Sequence, residues 1–68
     1  MFQVTAVFED AEVGYGEGEG VAYAVAECLD SIDAFYRPII DSVSVRIIGD
    51  SFAQTIDGCA ARIIASIA

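Results

Sequence analysis

The sequence predicts a small two-layer α+β domain in which strands alternate with helices, and three observations carry that prediction. Residues 2–9 and 42–48 alternate apolar and polar side chains with the period of a half-buried strand. Residues 20–36 and 51–67 place apolar side chains at the spacing of one helix face. The chain has 68 residues, the length of a single domain, so residues 1–68 are expected to share one core.

Each element has its own justification. In the first strand, Phe2, Val4, Ala6 and Phe8 share one side and Gln3, Thr5, Val7 and Glu9 the other. From Glu9 to Gly20 the pattern breaks into glutamate, aspartate and glycine, so residues 9–20 are predicted to form a mobile, acidic, glycine-rich loop. Residues 12–15 are the candidate for a short extra strand within it, although Asp10-Ala11 is not a favoured hairpin turn.

The first helix is placed at 20–36. Val21, Val25, Cys28, Leu29 and Ile32 recur at i, i+4, i+7, i+8 and i+11, which aligns them on one face. The opposite face carries Glu19, Tyr23, Glu27 and Asp30, with Asp33 at its edge, and Glu17 and Glu19 lie where the helix dipole favours negative charge. Pro38 pushes Arg37 out of helical geometry and ends the element.

In the second main strand, Val43, Val45 and Ile47 alternate with Ser44, Arg46 and Ile48 before Gly49-Asp50 stops it. Ser51 and Gln54 then have the spacing of a capping box, which predicts a second helix over 51–67 with Phe52, Ile56, Cys59, Ala60, Ile63 and Ile67 along its apolar stripe. Its outward face is weakly polar, and Gly58, Ala61 and Ala65 form a strip of small side chains suited to close approach by another backbone, hence to self-association. Two strands alone are marginal, so the sheet is expected to be completed by residues 12–15 or across a homodimer. If the two main strands are parallel neighbours, the helical crossover between them is right-handed. No internal repeat is visible in the sequence.

Charge is distributed very unevenly. Eight of the eleven acidic residues lie between Glu9 and Asp33, and the first basic residue is Arg37. Beyond that point Asp41, Asp50 and Asp57 balance Arg37, Arg46 and Arg62, so the net charge of −8 belongs to one part of the chain. The composition is also 56% hydrophobic, with a mean hydropathy of +0.58, more apolar material than a lone small domain readily hides. That excess favours a homodimer.

Most chemistries are disfavoured by the residue types present. Gly14, Gly16, Gly18 and Gly20 lie between a strand and a helix, but Glu19 occupies the position where a dinucleotide-binding turn needs its third glycine, and the chain has no lysine for a P-loop. Glu9, Asp10, Glu12, Glu17 and Glu19 do not have the spacing of a calcium loop, so no metal and no cofactor is expected. Without histidine or lysine, neither Cys28 nor Cys59 has a general base, and both fall on predicted apolar faces; the chain is not expected to be an enzyme. Three scattered arginines against eleven acids disfavour direct nucleic-acid binding. No basic leader precedes an apolar run and no segment reaches membrane-spanning length, so a cytoplasmic protein with reduced cysteines is expected.

The remaining positive feature is acidic. Tyr23 lies one turn from both Glu19 and Glu27, the arrangement of an aromatic anchor within a charged rim. The sequence therefore predicts a small protein-binding module. In it Glu17, Glu19, Tyr23, Glu27, Asp30 and Asp33 meet a basic surface on a protein that handles nucleic acid, their carboxylates standing in for phosphates. In size and charge it is analogous to small acidic phage-encoded inhibitors, some anti-CRISPR and anti-restriction proteins among them. The alternative is an obligate homo-oligomer or assembly subunit in which the acids serve solubility.

Overall fold

The computed structural model describes residues 1–67. Its elements are β1 (Phe2–Phe8), β2 (Ala11–Gly18), α1 (Val21–Asp30), β3 (Ser42–Ile47), β4 (Ala53–Asp57) and α2 (Gly58–Ala65), with a short 3₁₀ turn at Arg37–Ile39 before β3. The strands form one antiparallel sheet in the order β2-β1-β3-β4. Both helices pack on the same face of it, which gives the two-layer α+β arrangement expected.

The central pair follows directly from alternation. Val4 and Ala6 of β1 and Val43 and Val45 of β3 point to the helices and are buried, while Gln3, Thr5, Ser44 and Arg46 point to the other face. Val4 lies opposite Val45 and Ala6 opposite Val43, so the two strands are neighbours but antiparallel, and no parallel crossover exists.

Residues 9–20 are not a mobile loop. Glu9 and Asp10 form a two-residue turn with φ of 51° and 66°, the left-handed pair whose twist matches a tight hairpin, and the Glu9 N–H donates to Asp41 Oδ2 at 2.9 Å. β2 then runs well beyond residues 12–15, with a bulge opposite Ala6–Val7. Its glycines are the reason helix and sheet approach so closely. A Cβ at Gly16 would overlap the Cys28 backbone nitrogen and lie 2.6 Å from the Ala24 carbonyl oxygen, and one at Gly14 would overlap Ile32. Backbone packs on backbone there.

α1 buries Ala24, Val25, Cys28 and Leu29 as its apolar spacing requires, but it ends at Asp30, not at residue 36. Ser31 takes the C-cap position, and its Oγ donates to the Cys28 carbonyl while accepting the Tyr15 N–H. Arg37 folds back and donates from Nε to the Leu29 carbonyl and from Nη2 to the Ile32 carbonyl, both at 3.0 Å. With these carbonyls satisfied by side chains, the helix stops. Asp33 therefore lies off the helix, its carboxylate accepting the Phe35 N–H within the following turn.

The second helix is also shorter than predicted. Ser51 and Gln54 do not cap it: residues 53–57 form β4, which returns antiparallel to β3 after a turn at Gly49, where φ is 94°. Asp57 is the N-cap, its carboxylate accepting the Cys59 N–H at 2.9 Å. Phe52 and Ile56 are four residues apart but also two strand steps apart, and the strand prevails. The small strip points inward: Gly58 and Ala61 are buried, Ala65 packs on the core, and a Cβ at Gly58 would overlap the Ile40 carbonyl oxygen. Gly58 and Ala61 are thus taken up by packing within the protomer and Ala65 is partly buried, so the three do not form the outward strip that the sequence predicts.

A repeat absent from the sequence is present in the topology. Residues 2–30 and 42–65 each make a β-hairpin followed by a helix. The first strand of each unit lies at the centre of the sheet, and exchanging the units leaves the order β2-β1-β3-β4 unchanged. The acidic cluster belongs entirely to the first unit and the turn that follows it.

Candidate functional site

All eight acidic residues from Glu9 to Asp33 are exposed. They do not form one helical ridge. Glu9 and Asp10 occupy the β1–β2 turn, Glu12 and Glu17 the open face of the edge strand β2, and Glu19 the connection into α1. Glu27 and Asp30 follow Tyr23 along the outer side of α1, and Asp33 lies beyond its end. The result is an acidic rim around the β2 edge that spans both layers. Among the described residues no three His, Cys, Asp or Glu side chains converge on a common centre.

The arginines do little to offset this rim. Arg37 is turned onto the carbonyls that end α1, and Arg62 donates from Nη1 to the Arg37 carbonyl at 3.4 Å and from Nη2 to Cys59 Sγ at 3.3 Å. Both line the cleft between the helices beside Asp30.

Tyr23 is more than half exposed. Hydrogen bonding to the Glu27 carboxylate one turn on, together with its charge, raises the Tyr23 hydroxyl above its ordinary pKa. The phenol therefore stays neutral and protonated within the rim.

Sequence reasoning missed a polar chain across the open sheet face. Arg46 Nε donates to Gln3 Oε1 at 2.8 Å, Gln3 Nε2 donates to Tyr15 Oη at 3.0 Å, and Tyr15 Oη donates to Glu17 Oε1. The register explains it, because Gln3 of β1 lies between Arg46 of β3 and Glu17 of β2. The bond to Glu17 raises the Tyr15 pKa above its ordinary value. Of the expected contact residues, Glu17 is therefore already tied to a neighbour and the Tyr23 ring lies over Gly18 of β2, whereas the carboxylates of Glu19, Glu27, Asp30 and Asp33 have no such tie to the sheet. Strand register alone discloses this chain, and the glycine-rich pattern of residues 9–20 conceals the register of β2.

The cysteines differ from each other. Cys28 is buried against the sheet, and burial pushes its thiol up to about 11; Cys59 is exposed at the start of α2, contrary to the buried helical stripe expected for it. Both are free thiols.

The end of the sheet opposite the Glu9–Asp10 turn carries a largely apolar patch. Phe2, Val45, Ile47, Phe52 and Ile56, with Val21 from the start of α1 and the polar Arg46, Asp50 and Gln54, line a recess of about 230 Å³. None of the helices among the described residues is long and apolar enough to cross a membrane. Comparison with protein-family models, curated proteins and solved structures found no match to this chain.

Proposed function

We propose that this chain is a small cytoplasmic protein-binding module that docks its acidic rim on a basic surface of a nucleic-acid-handling protein, in the manner of a phage-type inhibitor that mimics nucleic acid. The observation that carries this reading is the exposure of all eight acidic residues from Glu9 to Asp33 around one edge, in a part of the chain that holds no basic residue. Carboxylates held on a strand and a helix are pre-organised, so a partner with clustered Lys or Arg meets charge at little cost in ordering. Tyr23, exposed and neutral between Glu19 and Glu27, supplies an aromatic contact of the kind that anchors interfaces.

The experiment is a nuclease-treated pull-down from host lysate, run at low and moderate salt, beside a variant carrying Glu19→Gln, Glu27→Gln and Asp30→Asn. The expected result is a basic protein retained by the parent, weakened by salt and lost by the variant. The same proteins retained by both would show the acids to be solubilising only.

A further inference from the structure

The two edges of the sheet are built very differently. β2 carries a bulge, three inward glycines and Glu12 and Glu17, devices that discourage another strand from pairing with it. β4, of sequence Ala-Gln-Thr-Ile-Asp, is plainer: its one charge, Asp57, is engaged in capping α2, no bulge interrupts its pairing with β3, it holds no proline or lysine, and four of its five residues are exposed. The Gly58 N–H to Asp41 carbonyl bond at 3.0 Å sets the phase of the β3–β4 ladder. Gln54 and Ile56 then exchange hydrogen bonds with β3, and Ala53 and Thr55 turn their N–H and C=O groups outward.

The bare edge adjoins exposed apolar side chains. Phe52, just before β4, is 72% exposed and borders the apolar recess; Ile63 on α2 is 66% exposed. Charge distribution says what fits there. An approach through β2 sets one acidic rim against another, whereas an approach through β4 brings together the parts of two copies in which charge is balanced and leaves both rims at the far ends.

We propose that the chain forms a homodimer by antiparallel pairing of β4 with β4 of a second copy, joining two four-stranded sheets into one of eight strands. A two-fold axis at Thr55 sets Thr55 opposite its own counterpart and Ala53 opposite Asp57, so the outward hydrogen-bonding groups of the edge are satisfied reciprocally. The same register brings Phe52 of each copy to the start of α2 of the other, where Cys59 is exposed, with exposed Ile63 one turn further along the helix. Each dimer carries an acidic rim at both ends, and the interface does not depend on what those rims bind.

Sedimentation of the purified chain through the micromolar range tests this, together with amide hydrogen exchange at high and low concentration. The expected species has twice the 7.2 kDa mass of one chain, with the Ala53 and Thr55 amides protected when concentrated and exposed on dilution. Thr55→Lys places like charges together at the axis and is expected to give a monomer with unchanged circular dichroism. A parent that sediments as a monomer throughout the range overturns the proposal, as does a dimer whose Ala53 and Thr55 amides exchange equally fast at both concentrations. Protection of those amides only after a different protein is added also overturns it. Should Thr55→Lys fail to fold, the parent's concentration-dependent exchange still decides.

Discussion

At the scale of single residues, the glycines of β2 do what side chains do elsewhere: they determine how close α1 comes to the sheet. Gly16 faces backbone atoms of Cys28 and Ala24, whereas a Cβ at Gly20 would meet nothing within 4 Å. Gly16→Ala should therefore cost about 1–3 kcal/mol, the usual range for overpacking, and Gly20→Ala should leave the thermal midpoint nearly unchanged. Equal effects of the two substitutions would show that the close approach is unimportant. The two thiols give a second contrast. A maleimide added to the native protein at neutral pH should label Cys59 alone, and denaturant should add a second label at Cys28, whose thiol is buried and pushed up to about 11. The tyrosines give a third. Tyr15 and Tyr23 both have folded pKa values above the ordinary 10.0. The stability linked to them is therefore fully present below pH 10 and declines as pH rises through the folded values. In a spectrophotometric titration Glu17→Gln should bring Tyr15 down toward its ordinary value while Tyr23 remains raised.

At the scale of elements, helix lengths are set by side chains that reach back to them. Arg37 satisfies two carbonyls near the end of α1 from beyond the helix, and hydrogen bonds from a charged donor are the stronger kind. Arg37→Met keeps much of the apolar stem and removes the guanidinium; it should cost about 2 kcal/mol and fray residues 29–32, visible as faster amide exchange there. The same reach-back explains what the sequence did and did not disclose. β1, β3 and the buried face of α1 were legible because Val4, Val43, Val25 and Cys28 fill space with side chains at regular intervals. β2 was not, because its inner face is glycine and the space is filled by the helix backbone, although glycine at every second position from 14 to 18 is itself a strand period. β4 was hidden by coincidence: Phe52 and Ile56 fit either period, and Ser51-x-x-Gln54 imitates a cap that Asp57 in fact provides. Of the expected contact residues, Glu17 is in β2 where a loop was expected, Glu27 and Asp30 are on α1 as expected, and Asp33 lies off the helix, because the early stop imposed by Ser31 and Arg37 depends on contacts distant in the chain.

At the scale of the whole molecule, charge and topology divide the chain at the same place. The first hairpin-and-helix unit with its following turn carries the entire net charge of −8, and the second carries as many arginines as aspartates. Carboxylates crowded on one side repel each other over distances comparable to a screening length of about 10 Å at 0.1 M salt. Added sodium chloride should therefore raise the thermal midpoint. The Glu19→Gln, Glu27→Gln, Asp30→Asn variant should start higher at low salt and respond less.

The paired units have a consequence for the chain as a covalent object. Residues 31–41 are the only peptide link between the two units, which otherwise meet through the β1–β3 ladder and the contact of α1 with α2. Two peptides separated within that segment should reassemble by complementation, with the central ladder as their seam. Because one fragment is strongly acidic and the other neutral, their recombination should be driven by apolar burial and strand pairing and, as the rim re-forms, should be strengthened by added salt, whereas salt should weaken the binding of a basic partner at the rim.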